Sequence, residues 1–195
     1  MIIGITGGTG CGKTTALQAI EQLGGLVIDC DKVYHDLLKT DTAMLAAIDN
    51  RFPGTAKEGL LDRKALAVIV FTDEQALLEL NAITHSAVKN KVLEILEANS
   101  GLAAIDAIAL FESGLHKLCD VTVAITAPEE SRISRLVQRD HITKEQAAMR
   151  IKAQKTQDAF AKQCDYVLEN TGTQAEFQEK CLAFFQKLLT IKETT

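Results

Sequence analysis

A three-layer α/β fold around a five-stranded, mainly parallel sheet is what this sequence predicts, on three observations. Short apolar runs rich in β-branched residues alternate with longer stretches of helical spacing, the pattern of parallel strands joined by crossover helices. The first run opens into Gly7-Gly8-Thr9-Gly10-Cys11-Gly12-Lys13-Thr14, which fits the phosphate-loop pattern G-x-x-x-x-G-K-[ST]. The interval between the second and third apolar runs is far longer than one crossover helix needs, so it should hold an inserted helical lobe.

The elements follow in order. Residues 2–6 read as a buried strand. Residues 13–23 place Ala16, Leu17, Ala19, Ile20 and Leu23 at helical spacing, and Gly24-Gly25 suit the helix end. Residues 26–28 form a second strand that delivers Asp29-Cys30-Asp31. If the backbone stays extended there, the two carboxylates point the same way. Helices are expected over 33–38, 42–52 and 63–71, and from Thr72, where Thr72 and Gln75 resemble a capping box, to about residue 98. Residues 102–111 read as a third strand and 119–126 as a fourth. Residues 131–162 are helical, with a second capping-box candidate at Thr143 and Gln146. Residues 165–168 are the fifth strand, 174–189 an amphipathic helix, and the tail from Lys192 to Thr195 looks frayed. The resulting division is a core of 1–31, 101–128 and 163–190, a lobe of about 32–100, and a charged helical region of about 129–162.

Composition narrows the partners. The 195 residues carry a net charge of −5, with 47% hydrophobic and 24% charged residues, an ordinary globular balance. An acidic chain argues against a nucleic-acid or anionic-membrane surface, though it can hold a polyphosphate at a local positive site. No run is long and apolar enough to span a membrane. The five cysteines are scattered without metal-ligand spacing, and no signal-type segment precedes the first strand. They read as reduced thiols of a cytoplasmic protein.

The loop's chemistry follows from its residue types. Glycines let successive N–H groups face phosphate oxygens, and the helix start adds partial positive charge. Gly8, Thr9, Gly10, Cys11, Gly12, Lys13, Thr14 and Thr15 are therefore the candidate nucleotide-binding residues. Lys13 would reach the terminal phosphates and Thr14 would ligate Mg²⁺.

Beyond the loop, the chain resembles the dephospho-coenzyme A kinase family along nearly its whole length. The resemblance rests on ITGGTGCGKTT, GGLVIDCDKV, GLLDRKAL, Val70-Phe71, LNAITH at 80–85 and ALFE at 109–112, in the family's order and spacing. Arg135, Arg139, Gln154 and Asn170-Thr171-Gly172 fall where the family has late arginines, a glutamine and an N-x-G. The chain departs from the family at Ser86 and Ile108, where prolines are usual, and at Arg132, where glutamine is common.

The resemblance implies a P-loop kinase that transfers the ATP γ-phosphoryl group to the ribose 3′-hydroxyl of dephospho-coenzyme A. Another nucleotide or small-metabolite kinase on the same scaffold is the alternative. Asp31 matches the proposed base, with Asp29 either fixing the loop or binding water near Mg²⁺; N-capping of the next helix is the competing reading of the pair. Asp106, taken to lie inside the third strand, would stand near the metal. Glu112 is a substrate-side candidate. Arg139 and Arg135 would belong to a lid over ATP, whereas Arg132 and Arg150 read as surface charges. Arg63 and His85 sit in the lobe that the resemblance gives to the acceptor. Asn170 and Gly172 follow the fifth strand, where an adenine edge commonly rests. Cys11, at a helix start that lowers a thiol pKa, is either redox-sensitive or merely a small residue in place of serine. Oligomeric state is not legible.

Overall fold

The computed structural model describes residues 1–57 and 59–193. In chain order its elements are β1 (Ile2–Thr6), α1 (Lys13–Gln22), β2 (Leu26–Asp29), α2 (Cys30–Thr40), α3 (Thr42–Arg51), β3 (Ala56–Lys57), β4 (Leu60–Leu61), α4 (Arg63–Val70), α5 (Glu74–Glu97), β5 (Ala103–Asp106), a 3₁₀ turn (Leu115–Leu118), β6 (Val121–Thr126), α6 (Glu129–Asp140), α7 (Lys144–Lys152), α8 (Gln157–Gln163), β7 (Tyr166–Glu169) and α9 (Gln174–Glu193).

The expected α/β fold is present, with five strands in the order β2-β5-β1-β6-β7. β1 pairs in parallel with β5 and β6, and β6 with β7. β2 starts beside the start of β5, where Leu26 N donates to Leu102 O at 2.9 Å. β1 is central, and its Ile3 and Ile5 are fully buried. Strands buried on both faces read as continuous apolar runs, which is why IIGIT and VTVAIT were recognisable. α1 ends in a Schellman motif. Gly24 takes φ 80°, Gly24 N donates to Glu21 O and Gly25 N to Ile20 O. α9 lays Phe177, Cys181, Phe185 and Leu188 into one cluster with Ala16, Ala19 and Ile20 of α1. That spacing of four, four and three is a single helical stripe.

Two compact units emerge, Met1–Ile28 joined to Asn99 onward, and Asp29–Ala98. The second consists of α2, α3, α4 and α5 with the antiparallel β3–β4 pair, and its three shorter helices pack on α5. Each of its helices opens on an aspartate whose carboxylate accepts a first-turn amide: Asp29 from Lys32 N, Asp41 from Met44 N, Asp62 from Lys64 N and Ala65 N, Asp73 from Gln75 N and Ala76 N. Such caps are each worth about 1 kcal/mol.

Several boundaries differ from expectation. The third strand ends at Asp106, not at residue 111, because its neighbour β1 leaves the sheet after Thr6. Ala107 N still donates to Ile5 O, and the chain beyond turns. Asp29 and Asp31 do not alternate along an extended chain, since α2 begins at Cys30. Thr72 does not cap α5; Asp73 does, while the Thr72 hydroxyl donates to Val68 O and Ile69 O and closes off the preceding helix. The 131–162 stretch is three helices. His141, at φ 53°, stops α6, and Thr143 and Gln146 form the expected capping box for α7. Thr156 caps α8. α9 extends through Lys192 to Glu193, and residues 194–195 of the expected tail lie outside the described residues.

Truncating Phe185 to Ala should cost about 3–5 kcal/mol, because a fully buried ring at the α1–α9 contact leaves a cavity. Urea unfolding of the variant checks this; an unchanged midpoint would contradict the packing.

Candidate functional site: a polyphosphate cradle

The loop between β1 and α1 is shaped by where its carbonyls go. Gly7 O accepts from Lys13 Nζ at 3.1 Å, and Gly8 O from Cys11 N at 3.3 Å. Thr9 O accepts from Arg132 Nε at 2.9 Å. Gly10 O accepts from Arg135 Nη1 at 3.2 Å. Cys11 O accepts from Asn170 Nδ2 at 3.0 Å and from Arg135 Nη1 at 3.4 Å. Gly12 O accepts from Thr15 N at 3.1 Å. Every carbonyl from Gly7 to Gly12 therefore has a donor.

In a planar trans peptide the carbonyl and the next N–H point in opposite directions. Drawing Thr9 O, Cys11 O and Gly12 O to one side thus turns the amides of Gly10, Gly12 and Lys13 to the other. Among the described residues the amides of Gly10, Gly12 and Thr14 find no backbone acceptor, and that of Lys13 faces the Cys11 thiol, a weak acceptor. Successive amides left open on one concave surface form an array that suits an anion. Gly12 fits this turn because it takes φ 105°, and a side chain there would lie 2.3 Å from Asn170 Nδ2.

The amides face a cavity of about 380 Å³ lined by the loop residues Gly8 to Thr14 and by Asp106, Arg135, Leu136, Gln138 and Arg139. Its charged rim has two parts. Lys13 is half-buried at the loop's mouth. Arg139 is exposed and donates to Asp140 through Nε at 2.7 Å and Nη2 at 3.1 Å, which raises its pKa. Asp140 also accepts from Arg150 at 2.8 Å, and both arginines hold its carboxyl below the usual range. Thr14 and Asp106 bring a hydroxyl and a carboxylate to the same cavity.

Other expected residues lie elsewhere. Asn170 is buried behind the loop, its oxygen accepting from Arg135 Nη2 at 3.0 Å, rather than presented at an adenine edge. Gly172 is exposed in the turn before α9. Thr15 is buried on α1. Glu112 follows β5 in a turn and pairs with Lys155. In the second unit, Asp29 is spent as a helix cap, Asp31 is exposed in the first turn of α2, and His85 is half-buried on α5. Arg63 Nη2 lies 3.0 Å from His35 Nδ1.

Arg132 departs from its expected place, and of the two readings of Cys11 the structure supports the small residue. Arg132 is not a surface charge; it is 3% exposed and grips the loop. Its position four residues before the buried Leu136 marks the same face of α6, which is the signal a helical reading offers. Cys11 is not poised for oxidation. Its thiol is 1% exposed and faces the core, and burial raises its pKa, against the opposing pull of Lys13. Cys11 serves the cavity through its backbone, and its side chain acts as a small apolar filler.

A family model described as dephospho-CoA kinase matches residues 1–176. The dephospho-CoA kinase of Lactobacillus acidophilus is 37% identical over 199 residues, covering 98% of each chain. That of Bacillus licheniformis is 34% identical over 179 residues, covering 89% of each. A Thermus thermophilus protein of known structure superposes with a TM-score of 0.81 at 32% identity over 97% of both chains. The dephospho-CoA kinase of Campylobacter jejuni gives 0.68 at 29% identity over 96% of both. A shikimate kinase of Acinetobacter baumannii, at 19% identity and a TM-score of 0.55, shares the fold.

The buried thiol makes Cys11 inert. Iodoacetamide at pH 8 should leave it unlabelled by mass spectrometry in the native protein and label it in urea; rapid native labelling would contradict its placement.

Proposed function

We propose, for a chain that belongs to the dephospho-CoA kinase family, the transfer of the ATP γ-phosphoryl group to the ribose 3′-hydroxyl of dephospho-CoA, giving CoA and ADP. The observation that carries this reading is the cradle of open amides with Lys13 and Arg139 at its rim. Family membership supplies the acceptor.

Phosphoryl transfer asks the protein mainly for positioning and charge. The amides of Gly10, Gly12, Lys13 and Thr14 hold the β- and γ-phosphate oxygens. Lys13 exchanges its contact with Gly7 O for the phosphates, leaving a neutral carbonyl behind. Arg139 exchanges Asp140 for the transferring group, and Arg150 keeps Asp140 paired when it does. The guanidinium fork suits three equatorial oxygens gaining charge. Arg135, from the cavity wall, and Asn170, from behind, hold the loop carbonyls of Gly10 and Cys11.

Mg²⁺ fits the donor set. Thr14 and Asp106 offer hard oxygens on one cavity, and Mg²⁺ is typically held by one or two such groups together with substrate phosphates and water. Bound there, the metal would neutralise charge on the β- and γ-oxygens.

On the acceptor side, Asp31 orients the 3′-hydroxyl and takes its proton; its exposure in the first turn of α2 suits a group that must meet a substrate. Arg63 takes a phosphate of the acceptor, His85 is a further acceptor-side residue of the same unit, and Glu112 is a substrate-side residue of the core unit. A cytoplasmic enzyme is in keeping with this chemistry, and no described helix is long and apolar enough to cross a membrane.

A coupled ADP-release assay tests the assignment. Dephospho-CoA should be the preferred acceptor over nucleoside monophosphates and shikimate, and the reverse preference would overturn it. Asp31→Asn should keep Mg·ATP affinity and lose about 10²–10⁴-fold in kcat. Near-normal kcat would remove Asp31 from the base role. Lys13→Ala should weaken ATP binding and slow transfer by on the order of 10²-fold, and unchanged kinetics would contradict the cradle.

A further inference from the structure

Resting on that reading of the loop, the geometry points to Arg132 and Gln154 as a paired brace that positions the Thr9–Gly10 peptide for polyphosphate binding. Both polar backbone groups of Thr9 are taken by side chains from outside the loop. Its carbonyl accepts from Arg132 Nε at 2.9 Å, and its amide donates to Gln154 Oε1 at 2.8 Å. Arg132 comes from α6, and Gln154 from just past the end of α7.

The two grips do different things. Gln154 withdraws the Thr9 amide from the cavity. Arg132 pulls the Thr9 carbonyl outward, and the trans peptide then turns the Gly10 amide inward. Without the brace this peptide is flanked by glycines and has a low barrier to flipping, which would aim a carbonyl where an anion must sit. Gly8 permits the close approach. A Cβ there would lie 2.5 Å from Arg132 Nη2 and 3.2 Å from Gln154 Oε1.

Arg132 is also an unusual residue to bury. It is 3% exposed, it makes no salt bridge among the described residues, and its Nη2 is buried with no hydrogen-bond acceptor. An uncompensated buried cation is costly unless something offsets it. A polyanion on the other side of the loop would do so through space, since a buried charge is weakly screened. Arg132 thereby acts twice on the same ligand, through the peptide it aims and through its charge. Neither route brings it into contact with substrate, so it is a positioning residue.

Titration calorimetry with three ligands tests this: Mg·ATP, inorganic tripolyphosphate and dephospho-CoA. Arg132→Met should weaken both polyphosphates about tenfold or more and leave dephospho-CoA unchanged. Arg132→Lys, which keeps the charge and one donor, should recover part of the loss. Gln154→Leu should weaken the polyphosphates in the same sense, and the double variant should lose less than the two single losses combined. Should Arg132→Met fail to fold, Arg132→Lys and Gln154→Leu carry the test, each expected to sit below the parent in tripolyphosphate affinity. Folded variants that bind tripolyphosphate within about twofold of the parent would overturn the brace, as would a loss shared equally by dephospho-CoA. A parent protein that binds neither Mg·ATP nor tripolyphosphate would instead overturn the nucleotide reading of the loop, and the brace with it.

Discussion

The direction of a few peptide planes governs this site. Six consecutive carbonyls, Gly7 to Gly12, each find a donor, and those of Thr9, Gly10 and Cys11 are taken by side chains brought by α6 and by the turn after β7. Because the peptide is planar and trans, satisfying the carbonyls on one side leaves amides on the other. The fold supplies those donors through its strand order. β1 lies between β5 and β6, so Asp106 at the end of β5 and the segment after β6 both reach the loop that β1 feeds. The cavity is therefore a consequence of backbone accounting in the core unit, and the charged rim is added to it.

Local energetics and this accounting agree along the chain. The stripe of α9 holds α1 against the sheet, and α1 fixes the end of the loop through Thr15 N and Gly12 O. Asn170 ties β7 to Cys11 O and to Arg135. The Asp29–Ala98 unit is organised independently, by four aspartate caps and a shared partner in α5. That unit thus has its own core, apart from the one that shapes the loop.

Much of this was legible in the sequence, for physical reasons. Buried parallel strands are continuous apolar runs, and the phosphate loop needs glycines followed by Lys13-Thr14, so both announce themselves. Thr143 and Gln146 announced a helix start because a capping box requires both side chains. Other features depend on long-range partners. Strand 103–106 stops where its neighbour leaves the sheet, which no local pattern records. Thr72 and Asp73 compete for one cap, and the carboxylate one residue later won. Arg132 looked like solvent-facing charge because the groups that justify burying it, Thr9 O and the approach past Gly8, lie more than a hundred residues away. The sequence left Cys11 as either an activated thiol or a small residue; its side chain turns into the core, where desolvation outweighs the neighbouring lysine, so the small residue is what the fold uses.

The central claim is that specific amides, not merely a positive patch, grip the polyphosphate. Amide chemical shifts in ¹H–¹⁵N spectra, followed as inorganic tripolyphosphate is added, test it most directly. The account predicts that the Gly10, Gly12, Lys13 and Thr14 amides move downfield together while the Thr9 amide, already donating to Gln154, stays nearly still. Shifts spread evenly over surface lysines, with those four amides unmoved, would contradict it.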